Sequence, residues 1–197
     1  MNRTQKFKIG YFVALLILAT FAGTIVFVVG GNLISIVGII LILLAPGRIQ
    51  GFYFRNFFIG RQFFDRGGFK QSIPYFEKFI VELNSRPHLK KLLWLSWSIY
   101  TPEIKSMALN NLGAAYLELG DLETAEKQFQ SALSLDPDYP IPYFNLAIVN
   151  ELRQEHVKAR QSVEKASALG YKQSTLDKVI NKSKSLLASF EGRPKNV

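Results

Sequence analysis

The chain has 197 residues, enough for one small soluble domain plus an accessory segment, and a formal net charge of +9. It contains no cysteine, which excludes disulfides, thiolate catalysis and cysteine metal sites. Residues 1–64 carry six Lys/Arg and no Asp/Glu, residues 65–157 have a net charge of −3, and residues 158–197 have a net charge of +6. The excess charge forms no basic patch with recognition spacing, so we expect no nucleic-acid partner.

An uncharged stretch of 39 residues extends from Ile9 to Gly47. A membrane-spanning helix needs about 20 apolar residues, so the stretch predicts a transmembrane hairpin within residues 1–50. The spans are expected at about 9–29 and 33–47. A cleaved signal peptide is the alternative for the first run, although its apolar core usually covers only about 7–15 residues.

The second apolar run is shorter, and Pro46 and Gly47 interrupt it. A full crossing that continues into the following aromatic stretch and a re-entrant segment both stay open. Gly30, Gly31 and Asn32 predict a tight turn between the two runs.

Positive residues flank the predicted hairpin on both sides, and the turn has none. Because Lys and Arg accumulate on the cytoplasmic side, we predict an integral membrane protein with both termini and the soluble domain in the cytoplasm or stroma. Ala19, Ala22 and Gly23 permit close helix packing. This packing fits either the hairpin itself or self-association, so the homo-oligomeric state stays open.

Residues 106–139 contain the clearest periodic pattern, with apolar side chains at helical spacing in two segments separated by Gly120. Gly120 is expected to end the first helix and Asp121 to cap the second. The segment resembles the 34-residue helix–turn–helix unit of the tetratricopeptide repeat (TPR) family. The matching residues are Leu109, Leu112, Gly113, Tyr116, Gly120, Ala125, Phe129, Ala132 and Pro137.

Two weaker repeats flank this unit. Residues 140–173 match with Asn150 in place of the aromatic residue and Gln154 in place of the turn glycine. Residues 53–86 form a divergent first repeat, with Phe79 where alanine is usual. The predicted fold is therefore all-α, with the hairpin followed by an α-solenoid of about three helix pairs at residues 51–172.

Residues 87–105 do not fit the repeat and are interpreted as an insertion. Lys90, Lys91, Trp94 and Trp97 suit an interfacial membrane helix. They equally suit a docking edge for a partner, and an elongated helix packed on its neighbour is the third interpretation.

Residues 173–197 are predicted to form a capping helix and a frayed tail. An apolar stripe is expected to cover the last repeat. Its predicted members are Leu176, Ile180, Leu186 and Leu187.

The resemblance implies that the first helix of each pair lines a concave groove that binds a protein. Its register places the following residues in the groove: Phe57, Phe58, Arg61, Asn110, Asn111, Ala114, Leu117, Phe144, Asn145 and Ile148. This lining is apolar and rich in amides. We therefore expect the partner to be an apolar segment or a membrane-complex subunit.

The sequence shows no paired acids, nucleophile elbow, phosphate loop or metal spacing, so we expect neither enzymatic activity nor a cofactor. The overall organisation is similar to that of small membrane-anchored TPR proteins of bacteria and photosynthetic membranes, including photosystem assembly factors. We therefore predict a membrane-anchored scaffold that assists assembly or stability of a membrane complex. The alternative is a permanent structural subunit of such a complex.

Overall fold

The computed structural model describes residues 3–30, 33–95 and 101–192, and every regular element in these ranges is helical. The α-helices are α1 (Arg3–Val29), α2 (Leu33–Tyr53), α3 (Arg55–Asp65), α4 (Phe69–Ser85), α5 (Ile104–Leu119), α6 (Leu122–Leu135), α7 (Pro140–Leu152), α8 (His156–Ala168) and α9 (Leu176–Glu191). A 3-10 helix, Pro87–Leu95, lies between α4 and α5. The predicted all-α class is confirmed for the described residues.

Helix α1 is uncharged from Ile9 to its end at Val29, and none of its Lys8–Val28 stretch of 21 residues is buried. Within the described residues it is the one helix that is long and apolar enough to cross a membrane. Membrane spans and signal sequences share this length and composition, so both interpretations of the first apolar run stand.

Helix α2 continues through Pro46 and Gly47 to Tyr53, so the expected interruption of the second apolar run does not occur in the backbone. A single proline removes one donor from the helical ladder and leaves the bonds on either side in place. Only Phe54 separates α2 from α3. Its N–H donates to Gln50 O (2.8 Å), and its carbonyl accepts from the N–H of Phe58 (3.0 Å).

Helices α3–α4, α5–α6 and α7–α8 pack as three successive pairs, as the repeat register predicts. In the first pair a Cβ added to Gly60 would lie 2.8 Å from the ring of Phe76. In the second pair a Cβ added to Gly113 would lie 2.7 Å from the ring of Phe129. The same glycine–phenylalanine contact therefore closes both pairs, although the first pair is divergent in sequence.

The turns within the three pairs share a left-handed residue. Gly67 has φ +78° and Gly120 has φ +88°. The third turn uses Gln154 with φ +64°, although a Cβ makes this conformation costly. The register therefore imposes the backbone conformation even where glycine is missing.

The described start of the insertion, Pro87–Leu95, is a separate 3-10 helix and not an extension of α4, so the elongated-helix interpretation is wrong for this segment. Arg86 ends α4, and Leu89 turns into the first hydrophobic core with 2% of its surface exposed. Gln50 Nε2 donates to Leu92 O at 3.4 Å, which ties the segment to α2. The buried hydroxyl of Thr101 donates to Asp136, which fixes the far end to the turn after α6.

Helix α9 is capped by Thr175, whose Oγ1 accepts the N–H of Lys178 at 3.4 Å. Of the predicted apolar stripe, Leu186 is buried and Leu176 packs against the second core, whereas Leu187 is 47% exposed. Val179, which was not predicted, is fully buried beside them. Helix α9 makes most of its contacts with α7. The described chain thus ends on a helix that is packed into the second hydrophobic core.

Candidate protein-binding site

The first helices of the three pairs, α3, α5 and α7, form a continuous row, since α5 contacts both α3 and α7. In a stack of helix pairs the first helices line the concave side. The residues that the sequence assigned to the groove therefore lie on one row of helices. Their exposure differs sharply from one end of the row to the other.

On α3 the predicted residues divide between core and surface. Phe57 is only 6% exposed and packs on the rings of Phe76 (6.1 Å between centroids) and Phe79 (5.4 Å). Phe58 is 45% exposed, and Arg61 is exposed with an ion pair to Asp65 (3.6 Å). Phe57 therefore belongs to the core, while Phe58 and Arg61 are available to a ligand.

A shallow pocket of about 730 Å³ opens beside this part of α3. Its walls include Phe58, Arg61 and Asp65 of α3, together with Arg55 at the start of the helix and Arg66 directly after its end. The pocket has an aromatic floor and a mainly cationic rim, which suits an apolar segment with polar or acidic flanks.

The amides of α5 and α7 do not all face outward. Asn145 Nδ2 donates to Asn110 Oδ1 at 2.9 Å, and Asn110 is only 4% exposed. This bond bridges two helices whose residues are 35 positions apart. Asn110 is therefore committed to the internal bridge, which corrects its assignment to the ligand-facing surface.

Asn111 is the amide that remains for a ligand. Its side chain is half-buried, and the buried Nδ2 atom has no hydrogen-bond partner in the part of the chain that the structure describes. An unpaired buried donor costs about 1–3 kcal/mol. Because this atom is buried, the Asn111 side chain has to rotate before a ligand carbonyl can accept from it. Ala114, one turn further along α5, is half-buried and leaves room for such a ligand.

The far end of the row is closed by α9. Leu117 and Ile148 are 3% and 2% exposed, and they share one core with Val179 and Leu186 of α9. These two predicted groove residues are therefore covered within the chain.

Two further residues of the row are also engaged at this end. Phe144 is half-buried, and its ring makes an edge-to-face contact with Tyr171 at 5.4 Å. Glu118 on α5 pairs with Lys182 Nζ of α9 at 2.5 Å. Aromatic packing and charge thus hold the segment after α8 against the row.

The insertion supplies little of the predicted edge within the described residues. Lys90 Nζ pairs with Glu103 Oε1 at 3.5 Å, while Lys91 is exposed. The side chain of Trp94 and the whole of Trp97 lie outside the described residues. The interfacial-helix and docking-edge interpretations therefore stay predictions.

Tyr116 connects the second pair to the first, since its hydroxyl donates to Glu77 Oε1 at 3.4 Å. Burial raises the pKa of Tyr116 above its ordinary value of 10.0, and the negative charge of Glu77 raises it further. The hydroxyl therefore keeps its proton at neutral pH and acts as a donor between the repeats.

Neither the Asn110–Asn145 bridge nor the Lys182–Glu118 pair was predicted from the sequence. Both join residues that are distant along the chain, so no local spacing reveals them. The burial of Leu117 and Ile148 under α9 was also not predicted. The apolar stripe of α9, with its spacing of three and four residues, did indicate that this helix covers some other surface of the chain.

Comparison with known proteins identifies the central repeat. The family model of the tetratricopeptide repeat matches residues 106–139, which cover α5 from Ser106 onward, α6 and the turn that follows α6. No match was found among curated proteins. Among solved structures, the crystal structure of MamA is similar over 68% of this chain and 95% of its own, with 19% identity and a TM-score of 0.34.

The described part of the chain is therefore helical, and its residues 106–139 match a tetratricopeptide repeat. Repeats of this kind bind protein partners on their helical surfaces. The matched repeat therefore supports a protein-interaction scaffold.

Proposed function

We propose that the chain is a membrane-anchored scaffold that binds a protein segment on the open part of the concave row, formed by α3 and α5. One observation supports this function more than any other. A fully unburied apolar helix, Lys8–Val28, and a row of repeat helices with exposed binding groups belong to the same polypeptide.

The open part of the row defines the chemistry of the partner. Phe58 offers an exposed aromatic surface, and Asn111 holds a buried amide donor, unpaired among the described residues, that a rotation of its side chain would present. An apolar segment that buries Phe58 and presents a backbone carbonyl to Asn111 satisfies both groups. A subunit of a membrane complex has such segments near the bilayer, where the anchor would hold the repeats.

The proposed process is assembly or stabilisation of a membrane complex on the cytoplasmic or stromal side. The basic residues at both ends of the apolar hairpin support this orientation. Protease digestion of sealed membranes tests it, because the repeats should be cleaved only from the cytoplasmic face. Release of the full chain into a detergent-free soluble fraction would reject the anchor.

Affinity capture of the tagged full chain from mild detergent tests the binding site. Phe58→Ala and Asn111→Ala should each reduce recovery of the specific partner by about tenfold, the effect of losing an interface anchor. The matched controls are Val157→Ala, a 73% exposed apolar residue on α8, and Asn84→Ala, an exposed amide on α4. Equal losses for site and control variants would contradict the assignment.

The captured material also separates the two modes of action. Recovery with unassembled subunits alone supports an assembly factor. Stoichiometric, salt-resistant recovery with the mature complex overturns that process and supports a permanent structural subunit.

A further inference from the structure

Helix α9 does not continue the stack of repeats. Between successive pairs, α5 packs on α4 and α7 packs on α6, so each first helix contacts the second helix of the pair before it. Helix α9 instead packs mainly on α7 and much less on α8. It therefore lies on the first helices, which form the concave side, and not at the open end of the array.

Contacts with α5 confirm how far α9 reaches along this row. Lys182, in the middle of α9, pairs with Glu118 at 2.5 Å. The ring of Phe190, at the end of α9, comes within 3.4 Å of a Cβ placed on Gly120. One face of α9 thus crosses α7 and ends against the C-terminal turn of α5.

The seam of α9 follows the spacing that an amphipathic helix uses in a groove. The seam residues are Leu176, Val179, Ser183, Leu186 and Phe190, at alternating steps of three and four. Val179 and Leu186 are fully buried in the second core. The charged partner Lys182 lies beside this seam, so the surface accepts an apolar stripe flanked by a cation.

The centre of the seam is poorly suited to its surroundings. Ser183 is 3% exposed, and its hydroxyl makes no hydrogen bond among the described residues. A buried hydroxyl without a partner opposes docking. An aliphatic residue at this place would fit the apolar surface better than the serine does.

We infer that the surface formed by α5 and α7 is a binding site for an amphipathic partner helix with a basic residue beside its apolar stripe, and that α9 is its resident, replaceable occupant. This inference rests on the proposed function and specifies it. A partner helix with an aliphatic residue in place of Ser183 and a lysine in place of Lys182 binds where α9 lies and releases it.

A peptide experiment on the full chain in detergent micelles tests the inference. A tethered helix has an effective concentration in the mM range, so the resident copy must first be weakened. Glu118→Lys places two lysines together and should loosen α9. The labelled probe is a synthetic peptide of residues 174–192 with Lys182→Glu and Ser183→Leu.

The probe should bind the Glu118→Lys chain about tenfold more tightly than the unaltered chain, measured by fluorescence anisotropy. The same probe carrying Leu186→Asp should not bind. Hydrogen exchange should accelerate in α9 on probe binding, while α7 and α8 keep their protection. Ser183→Ala in the full chain should slow exchange of α9, which reports on docking without any charge change.

Two results would overturn the inference. Equal affinity of the probe for both chains means that Glu118 does not recognise the helix. Loss of protection in α7 and α8 together with α9 means that α9 is an integral cap and cannot be replaced. The peptide assay requires no cellular partner, so a failure of this assay does not contradict the proposed binding at Phe58 and Asn111. A failure of the affinity capture likewise does not contradict a positive peptide assay.

Discussion

The contact between Gly60 and Phe76 decides whether the divergent first pair is packed like the second. Replacing Gly60 with alanine adds a Cβ at 2.8 Å and 2.9 Å from two ring carbons of Phe76. Distances this short force the ring or the helices to move. Phe76 is fully buried against Phe57, so the ring has little room to give way.

The expected magnitude follows from two opposing effects. Alanine is favoured over glycine in a helix by about 1 kcal/mol, and overpacking a well-packed core costs about 1–3 kcal/mol. Gly51→Ala measures the helix-propensity effect alone, because Gly51 is helical and exposed and has nothing within 4 Å of an added Cβ. Relative to Gly51→Ala, Gly60→Ala should therefore lower the free energy of unfolding by about 1–3 kcal/mol.

Thermal unfolding of the full chain in detergent, followed by far-ultraviolet circular dichroism, measures this difference. A change of 1 kcal/mol shifts the midpoint of a chain this size by about 2–4 °C. The cost of Gly60→Ala should shrink in a Phe76→Leu background, because the smaller side chain leaves space for the new methyl group. If Gly60→Ala raises the midpoint as much as Gly51→Ala does, the helices of the first pair are not in this contact.

Three further predictions follow from buried or strained groups. Gln154→Gly should raise the free energy of unfolding by about 1 kcal/mol. Glycine relieves the strain of a left-handed residue at φ +64°, although its greater freedom in the unfolded chain offsets part of this gain. A fall in the unfolding midpoint would contradict this. Thr101→Val should lower the free energy of unfolding by about 1–3 kcal/mol, because Asp136, which is 2% exposed, loses its hydroxyl donor. Thr101→Ser keeps the hydroxyl and should be nearly neutral. Equal effects of the two substitutions would argue against the hydrogen bond. Because the pKa of Tyr116 is higher in the folded state than its ordinary value of 10.0, the tyrosine stabilises the fold below pH 10.0, and this contribution is lost as the pH rises through the folded-state pKa. Stability should therefore fall less steeply at alkaline pH in Tyr116→Phe than in the unaltered chain. Identical pH profiles of the two chains would exclude this role.

The repeat register was predictable because its determinants are local. Gly113 and Phe129 lie one helix apart, and the same pair recurs at Gly60 and Phe76, so a fixed spacing reveals both contacts. The left-handed turn at Gln154 could also be placed by register alone. These features need no knowledge of distant parts of the chain.

The binding surface was less predictable because burial depends on what lies opposite each residue. Phe57 and Phe58 are adjacent and chemically identical, yet one is in the core and the other is 45% exposed. Three interpretations of the insertion stayed open because its lysines, tryptophans and leucines suit each of them equally. The position of α9 depends on the connection after α8, whose conformation is not encoded by periodicity.

The single-residue junction at Phe54 has a mechanical consequence. Phe54 is 1% exposed and makes an edge-to-face contact with Phe79 at 5.3 Å, and the neighbouring Gln50 is bonded to the insertion. A rotation of the repeats relative to α2 would expose the buried ring of Phe54. The repeats are therefore held at a fixed angle to α2, which limits the directions in which the open part of the row can face relative to that helix.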